Sequence, residues 1–201
     1  MPYLGAPQPN NVKQNRGLYT PGEILELQKD GHWGGSLELI AESTCSGNTT
    51  IEFTAIKENV YDTHFIEFIG LESGSDMYNE IRVSNDGGTS YESTNYDRSV
   101  QYMSATTGGA FGENRSDGTD RFTILGFATA GTPVNNNAYL HNLGNADLYT
   151  HLTARSTVGD QWVYFGSQMY LVAETINALQ ILNSAGASWT AGKVRLFGIK
   201  Q

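Results

Sequence analysis

The side chains able to do chemistry are few and scattered along the chain. Four histidines, His32, His64, His141 and His151, include no pair at the spacing of a metal-binding helix or finger. His141 and His151 would approach one another if the strands carrying them paired. A histidine in a polar strand is more often solvated or hydrogen-bonded than a ligand, so no metal is expected there. The one cysteine, Cys45, sits in Glu42-Ser43-Thr44-Cys45-Ser46-Gly47, read as a loop with no local base to activate a thiolate. Glu67, Glu72, Asp76, Glu80 and Asp86 could run glycoside hydrolysis if two of them converged across a substrate. They fall at strand edges or in loops without a diagnostic context. Glu113, Asp117 and Asp120 lie in Gly112–Asp120, a loose acidic stretch without the EF-hand order of ligands, expected to be a solvated loop. Gly192-Lys193 lacks the upstream glycine and following hydroxyl of a phosphate loop, and no Gly-x-Ser-x-Gly elbow occurs. No catalytic residue, metal or cofactor is expected, and the chain is expected not to be an enzyme.

Aromatic rings are the remaining binding chemistry. The chain holds 11 tyrosines, 8 phenylalanines and 3 tryptophans, and their faces stack on apolar sugar faces. Tyr91, Tyr96 and Tyr102 follow the Asn85-Asp86-Gly87-Gly88 turn, while Trp162, Tyr164 and Tyr170 share one long strand segment with Phe165. These six are candidates for a ligand or subunit surface. Ordinary core packing and subunit contact are the favoured reading of them.

The elements that would position these residues are strands. Period-two alternation marks Leu37/Leu39, Ile51/Phe53/Ala55, Ile81/Val83, Phe122/Ile124 and Val194/Leu196, each predicting a strand with one buried face. Less regular runs over 63–70, 98–104, 138–142, 149–154, 161–172 and 178–182 are further strands. Turn signals separate them at Asn85–Gly88, Gly108-Gly109, Asp117-Gly118, Gly131-Thr132-Pro133, Gly144-Asn145, Ser184–Gly186 and Ala191-Gly192. Roughly ten short strands broken about every ten residues predict an all-β chain, an antiparallel β-sandwich, with a jelly-roll preferred.

The first 34 residues read differently. Four of the five prolines stand at positions 2, 7, 9 and 21 among Gln and Asn, the composition of an extended arm. Within it, Thr20 as cap, Pro21, Glu23 and Gly31 predict one short helix over about 20–30. Its stripe of Ile24, Leu25 and Leu27 needs an outside surface, because so short a helix is marginal alone. The expected organisation is an arm over 1–34 and one domain over 35–201.

Composition excludes further classes. Gly, Ser, Thr and Asn supply 73 of 201 residues, and only 16% are charged, below the typical figure of about 25%. The net charge of −9 falls entirely within residues 1–95, with 14 acidic and 5 basic side chains; the rest has 7 of each. A nucleic-acid surface needs a net supply of cations, so no nucleic-acid partner is expected. No apolar stretch approaches the ~20 residues of a membrane span, and none is expected to insert. The start Met1-Pro2-Tyr3-Leu4-Gly5 lacks the pattern of a secretory signal, so synthesis in a reducing cytosol is expected.

Two stretches carry a resemblance. One is the arm from Met1-Pro2-Tyr3-Leu4-Gly5 through Gly17-Leu18-Tyr19-Thr20-Pro21-Gly22-Glu23-Ile24-Leu25-Glu26-Leu27 to Trp33-Gly34-Gly35-Ser36-Leu37. The other combines Ile81-Arg82-Val83-Ser84-Asn85-Asp86-Gly87-Gly88 with the ending Gly192-Lys193-Val194-Arg195-Leu196-Phe197-Gly198-Ile199-Lys200. Together they resemble the small virion structural proteins of tailed phages, particularly marine and cyanobacterial ones, in which a short arm precedes a jelly-roll ending in a Gly-x-Val-x-Leu-Phe-Gly-Ile-type strand. The resemblance implies a non-enzymatic virion protein made in the host cytoplasm, of tail, fibre, neck or capsid-decoration type. It implies other virion proteins as partners and a homo-oligomer, a trimer being favoured. Tyr3, Leu4, Leu18, Tyr19, Ile24, Leu25, Leu27 and Trp33 are the side chains expected to anchor the arm. The alternative is a lectin-like module at a fibre tip that binds a host-surface glycan.

Overall fold

The computed structural model describes residues 22–23, 37–104, 109, 111–158 and 162–199. The chain divides into the units Met1–Ser36 and Leu37–Gln201, and the strands among the described residues lie in the second. In order they are β1 (Leu37–Thr44), β2 (Thr50–Phe53), β3 (Thr63–Ser73), β4 (Met77–Ser84), β5 (Tyr96–Ser104) and β6 (Phe111–Thr119). There follow β7 (Phe122–Ala128), β8 (Val134–His141), β9 (Tyr149–Val158), β10 (Trp162–Ala173), β11 (Ala178–Asn183) and β12 (Trp189–Ile199). The described residues are all-β, with twelve strands where the periodicity counts about ten.

The strands form two antiparallel sheets. A wide one runs β1-β12-β3-β8-β9-β10-β5-β6, and a narrow one runs β2-β11-β4-β7. Alternation decides which residues face inward. On β3, His64, Ile66 and Phe68 are buried; on β8, Val134, Asn136, Ala138 and Leu140; on β11, Leu179 and Ile181. The apolar ones among these side chains join one core to which both sheets contribute, with Trp189 on β12 fully enclosed. The Trp189 indole N–H donates to Asn79 Oδ1 at 3.2 Å, so its one polar atom is satisfied in the interior. Cys45 lies in this core at 0% exposure, and burial pushes its thiol pKa up to about 12. A protonated, enclosed thiol is a packing residue.

Two expectations are corrected. Leu37 and Leu39 were expected to face the core, yet they are 46% and 52% exposed. The pairing of β1 with β12 shifts between Leu39 and Ala41. That bulge moves Ile40 and Ala41 against the core and leaves the leucines on the outer face. The Gly112–Asp120 stretch is no acidic loop: through Thr119 it is strand β6, pairing with β5 from Met103↔Phe111 to Tyr96↔Thr119. As the outermost strand of the wide sheet it has no buried face to advertise, and its alternating charges Glu113, Arg115 and Asp117 suit an unpaired edge. The expected helix over 20–30 lies outside the described residues apart from Gly22 and Glu23.

Candidate binding groove

The wide sheet overhangs the narrow one. Strands β9, β10, β5 and β6 continue it past β8, while β7, the edge of the narrow sheet, packs across β8, β9 and β10. The register of β5 against β10 places Tyr96 opposite Tyr170, Arg98 opposite Gln168, Val100 opposite Gly166 and Tyr102 opposite Tyr164. All eight share the inner face.

The first pairs on this ladder are roofed. Tyr96 and Tyr170 are 0% and 1% exposed, 5.0 Å apart between ring centroids, and Phe122 of β7 meets Tyr96 edge-on at 4.8 Å. Their hydroxyls are consumed internally: Tyr96 Oη accepts from Val83 N and donates to Glu92 O, and Tyr170 Oη donates to Glu174 Oε1. Gln168 ends the roof. Its amide accepts from Thr123 N at 2.9 Å and donates to Thr123 O at 2.6 Å, so a side chain satisfies the edge backbone of β7 as a neighbouring strand would.

Past that clamp the face opens. Tyr102, Tyr164 and Trp162 stand 5.7–6.4 Å apart between centroids, tilted 34–57° to one another. Together with Tyr78, Glu80, Arg98 and Asn114 they line a groove of about 490 Å³. That volume falls in the ~300–1,000 Å³ range of small-molecule sites. Two glycines keep its floor low. A Cβ on Gly166 would lie 2.5 Å from Ser99 O, and one on Gly112 would lie 2.4 Å from the Tyr102 ring.

The charges along the groove are arranged unequally. Glu80 is 8% exposed and is held by Arg121 Nη1 at 2.7 Å. Burial nevertheless raises its pKa, outweighing the neighbouring guanidinium. Arg121 also binds Asp120, which in turn takes Arg82 Nη2 at 2.7 Å. These two guanidinium groups, Arg121 first, hold the Asp120 carboxyl down to about 2. This network locks the corner where the chain leaves β6 and enters the narrow sheet. Arg98 stands apart from it. Its Nη1 donates to Thr123 Oγ1 at 2.7 Å, its buried Nε has no acceptor, and among the described residues no carboxylate pairs with it.

Of the six aromatic candidates, the structure brings Tyr102, Trp162 and Tyr164 together. It assigns Tyr96 and Tyr170 to the core. Tyr91 lies in the β4–β5 connection against Gly88, its unpartnered hydroxyl pushed up to about 12 mainly by burial. Tyr3, Leu4, Leu18, Tyr19, Ile24, Leu25, Leu27, Trp33 and His32 lie outside the described residues. Arg98, Tyr78 and Asn114 were not singled out by sequence reasoning. Arg98 could have been, since it precedes Val100 and Tyr102 in the same alternating phase.

The other chemistry-bearing residues have their own partners. His64 is fully buried, with Nε2–H donating to Ile56 O at 2.7 Å, while burial lowers its pKa. His141 and His151 do face each other, on β8 and β9, and Thr63 Oγ1 lies 3.2 Å from His141 Nδ1. Among the described residues no group of three His, Cys, Asp or Glu side chains could hold a metal ion. The five weighed carboxylates are dispersed. Glu67 meets Arg195 and Glu72 accepts from Thr190; Asp76 accepts from Ala130 N, and Asp86 from Ser84 and Ser90. Only Glu80 among them lines the groove. No protein-family model matches the sequence, and no curated protein matches it significantly.

Proposed function

We propose that this chain is a non-enzymatic virion structural protein of a tailed phage, whose sandwich projects from the particle and holds a host-surface glycan in the groove. The observation that carries the reading is the groove itself. Three non-coplanar rings offer faces for successive pyranose units, and polar groups at Tyr78, Glu80, Arg98 and Asn114 suit hydroxyl recognition. A lining with one carboxylate, already engaged by Arg121, suits binding rather than two-carboxylate hydrolysis.

A jelly-roll body is supported by the strand order. Setting aside β5–β6 and β9–β10, the wide sheet reads β1-β12-β3-β8 and the narrow one β2-β11-β4-β7. The chain then alternates between sheets at every step except β4 to β7, as two interleaved Greek keys require. The four set-aside strands are additions that build the overhang, so the groove is made by elaborations on the body.

Assembly into a homo-oligomer, a trimer being favoured, is supported by the outer face of the wide sheet. Leu39, Phe197, Phe65 and Tyr139 stand in register across β1, β12, β3 and β8, with Phe65 5.0 Å from Tyr139 and 5.9 Å from Phe197. Contiguous apolar surface of this kind marks contact with another molecule. The arm over 1–34 is the proposed anchor to the particle.

Screening the full chain and Trp162→Ala on a glycan array tests the groove. Binding by the first and not the second is expected; equal binding overturns the assignment. Deleting residues 1–34 tests the anchor: the shortened chain should stay folded and fail to enter particles, and incorporation at the wild-type level refutes it.

A further inference from the structure

We infer that the groove takes a carboxylate-bearing saccharide, its acid seated on Arg98 and its rings on Tyr102, Tyr164 and Trp162. This rests on reading the groove as a saccharide site and names the class of sugar.

The argument starts from the cation. Arg98 projects from β5 on the inner face, between Tyr96 under the roof and Val100 at its edge, and is half-buried. A guanidinium removed from water is ordinarily matched by a carboxylate or by a full set of acceptors. Arg98 has one acceptor, the Thr123 hydroxyl; its buried Nε has none, and no carboxylate within ion-pair distance exists among the described residues. The contrast with Arg121 and Arg82 is sharp, since both are tied to Asp120 and Arg121 also to Glu80. Arg98 therefore keeps donors in reserve beside an open aromatic face.

The other titratable groups lining the groove do not cancel this charge. Glu80 is already neutralised by Arg121, and Tyr78, Tyr102 and Tyr164 are phenols. A planar guanidinium matches a carboxylate in two-point geometry. A uronic or sialic acid presents a carboxylate on a ring whose apolar face is free to stack. The distance between the two contacts is short, because Tyr102 is one inward-facing position beyond Val100 and two beyond Arg98. An acidic peptide would use Arg98 but has no need of three tilted rings.

The test uses the full-length chain and isothermal titration. Tetragalacturonate, tetramannuronate and sialyllactose are each titrated beside the corresponding methyl ester, which is neutral and larger by one methyl group per acid. Polyglutamate serves as the acidic-peptide probe. At least one acid should bind tenfold or more tightly than its ester. Arg98→Gln should bring that acid and its ester within twofold, and Trp162→Ala should weaken both. The ester comparison is made on the wild-type protein and is unaffected if a variant misfolds. An ester that binds as well as its acid overturns the role of Arg98 and leaves the saccharide groove standing. Tight polyglutamate binding without sugar-acid binding overturns the saccharide class. Failure of every acid overturns the inference, and only failure of the glycan array as well removes the reading beneath it.

Discussion

Gly112 on β6 stands directly opposite Tyr102 on β5, and a Cβ on the glycine would lie 2.4 Å from both Cζ and Oη of the tyrosine. The ring lies across bare backbone. Gly166 fills a parallel place on β10, but there the colliding atoms are the Ser99 carbonyl and Val100 Cα. The two glycines therefore predict different outcomes. Gly112→Ala displaces the far end of a side chain, so thermal stability should stay within about 1 kcal/mol of wild type while saccharide binding weakens. Gly166→Ala collides with backbone and should destabilise by roughly 1–3 kcal/mol, read by denaturant unfolding.

Arg121 supplies the charge opposite a buried carboxylate. Arg121→Ala should cost roughly 1–3 kcal/mol, because Glu80 is then enclosed without its cation. Adding Glu80→Gln should return much of that loss, and a double-mutant cycle by urea melts measures the coupling. The pH sign follows from the raised Glu80 pKa. The native state holds this proton more tightly than the unfolded chain, so the group contributes most below the unfolded carboxylate value. That contribution is lost as pH climbs through the folded one. The Arg121→Ala deficit should accordingly be larger at pH 7 than at pH 4.5.

His64 predicts a slope of the opposite sense. Its Nε2–H is spent on the Ile56 carbonyl and its Nδ1 has no partner, so a second proton would enter a buried site with nothing to receive it. The folded pKa is lowered by burial, and stability is complete above the unfolded histidine value of about 6.5. It falls as pH drops below that value, by at most about 1.4 kcal/mol per pH unit per histidine. His141, lowered by burial and then by the charge of His151, adds in the same direction. Melting temperatures between pH 7.5 and 5.5 should decline, and His64→Gln should flatten part of that decline.

The outer apolar row predicts the oligomeric state. Leu39→Glu and Phe65→Glu place charges in the row that Phe197 and Tyr139 complete. Both should shift the assembly toward monomer in light scattering, while Leu171→Glu, on the same face of β10 but off that row, should not. Unchanged mass for all three would exclude this face as the contact.

Much of the fold was legible because half-buried strands announce themselves by period two. The alternation at Ile51/Phe53, Ile81/Val83 and Val194/Leu196 matches the buried positions directly. What alternation does not carry is whether a face is covered. Tyr96, Tyr102, Tyr164 and Tyr170 occupy the same phase on adjacent strands, yet two are core and two line a groove, because the narrow sheet ends at β7, whose Thr123 is clamped by Gln168. Leu37 and Leu39 mislead for a related reason: one bulge reverses a face without changing composition. Strand β6 was missed because an edge strand with little buried area leaves no apolar rhythm to read.

The overhang also divides the molecule by what each part is free to become. The residues that line the groove come chiefly from the two added hairpins, β5–β6 and β9–β10, whose roots share one core with the eight-strand body. The boundary is not at the loops. It runs across the middle of β5 and β10, between Arg98 and Val100 on one and Gln168 and Gly166 on the other. On the near side, Tyr96, Tyr170 and Gln168 root the hairpins and cannot change without loosening the core. On the far side, the partly buried rings of Tyr102, Tyr164 and Trp162 can be exchanged at less structural cost than Val100 and Gly166, which the packing holds. The ring positions at the hairpin ends form a replaceable cassette: their side chains can change while the chain folds in the same way.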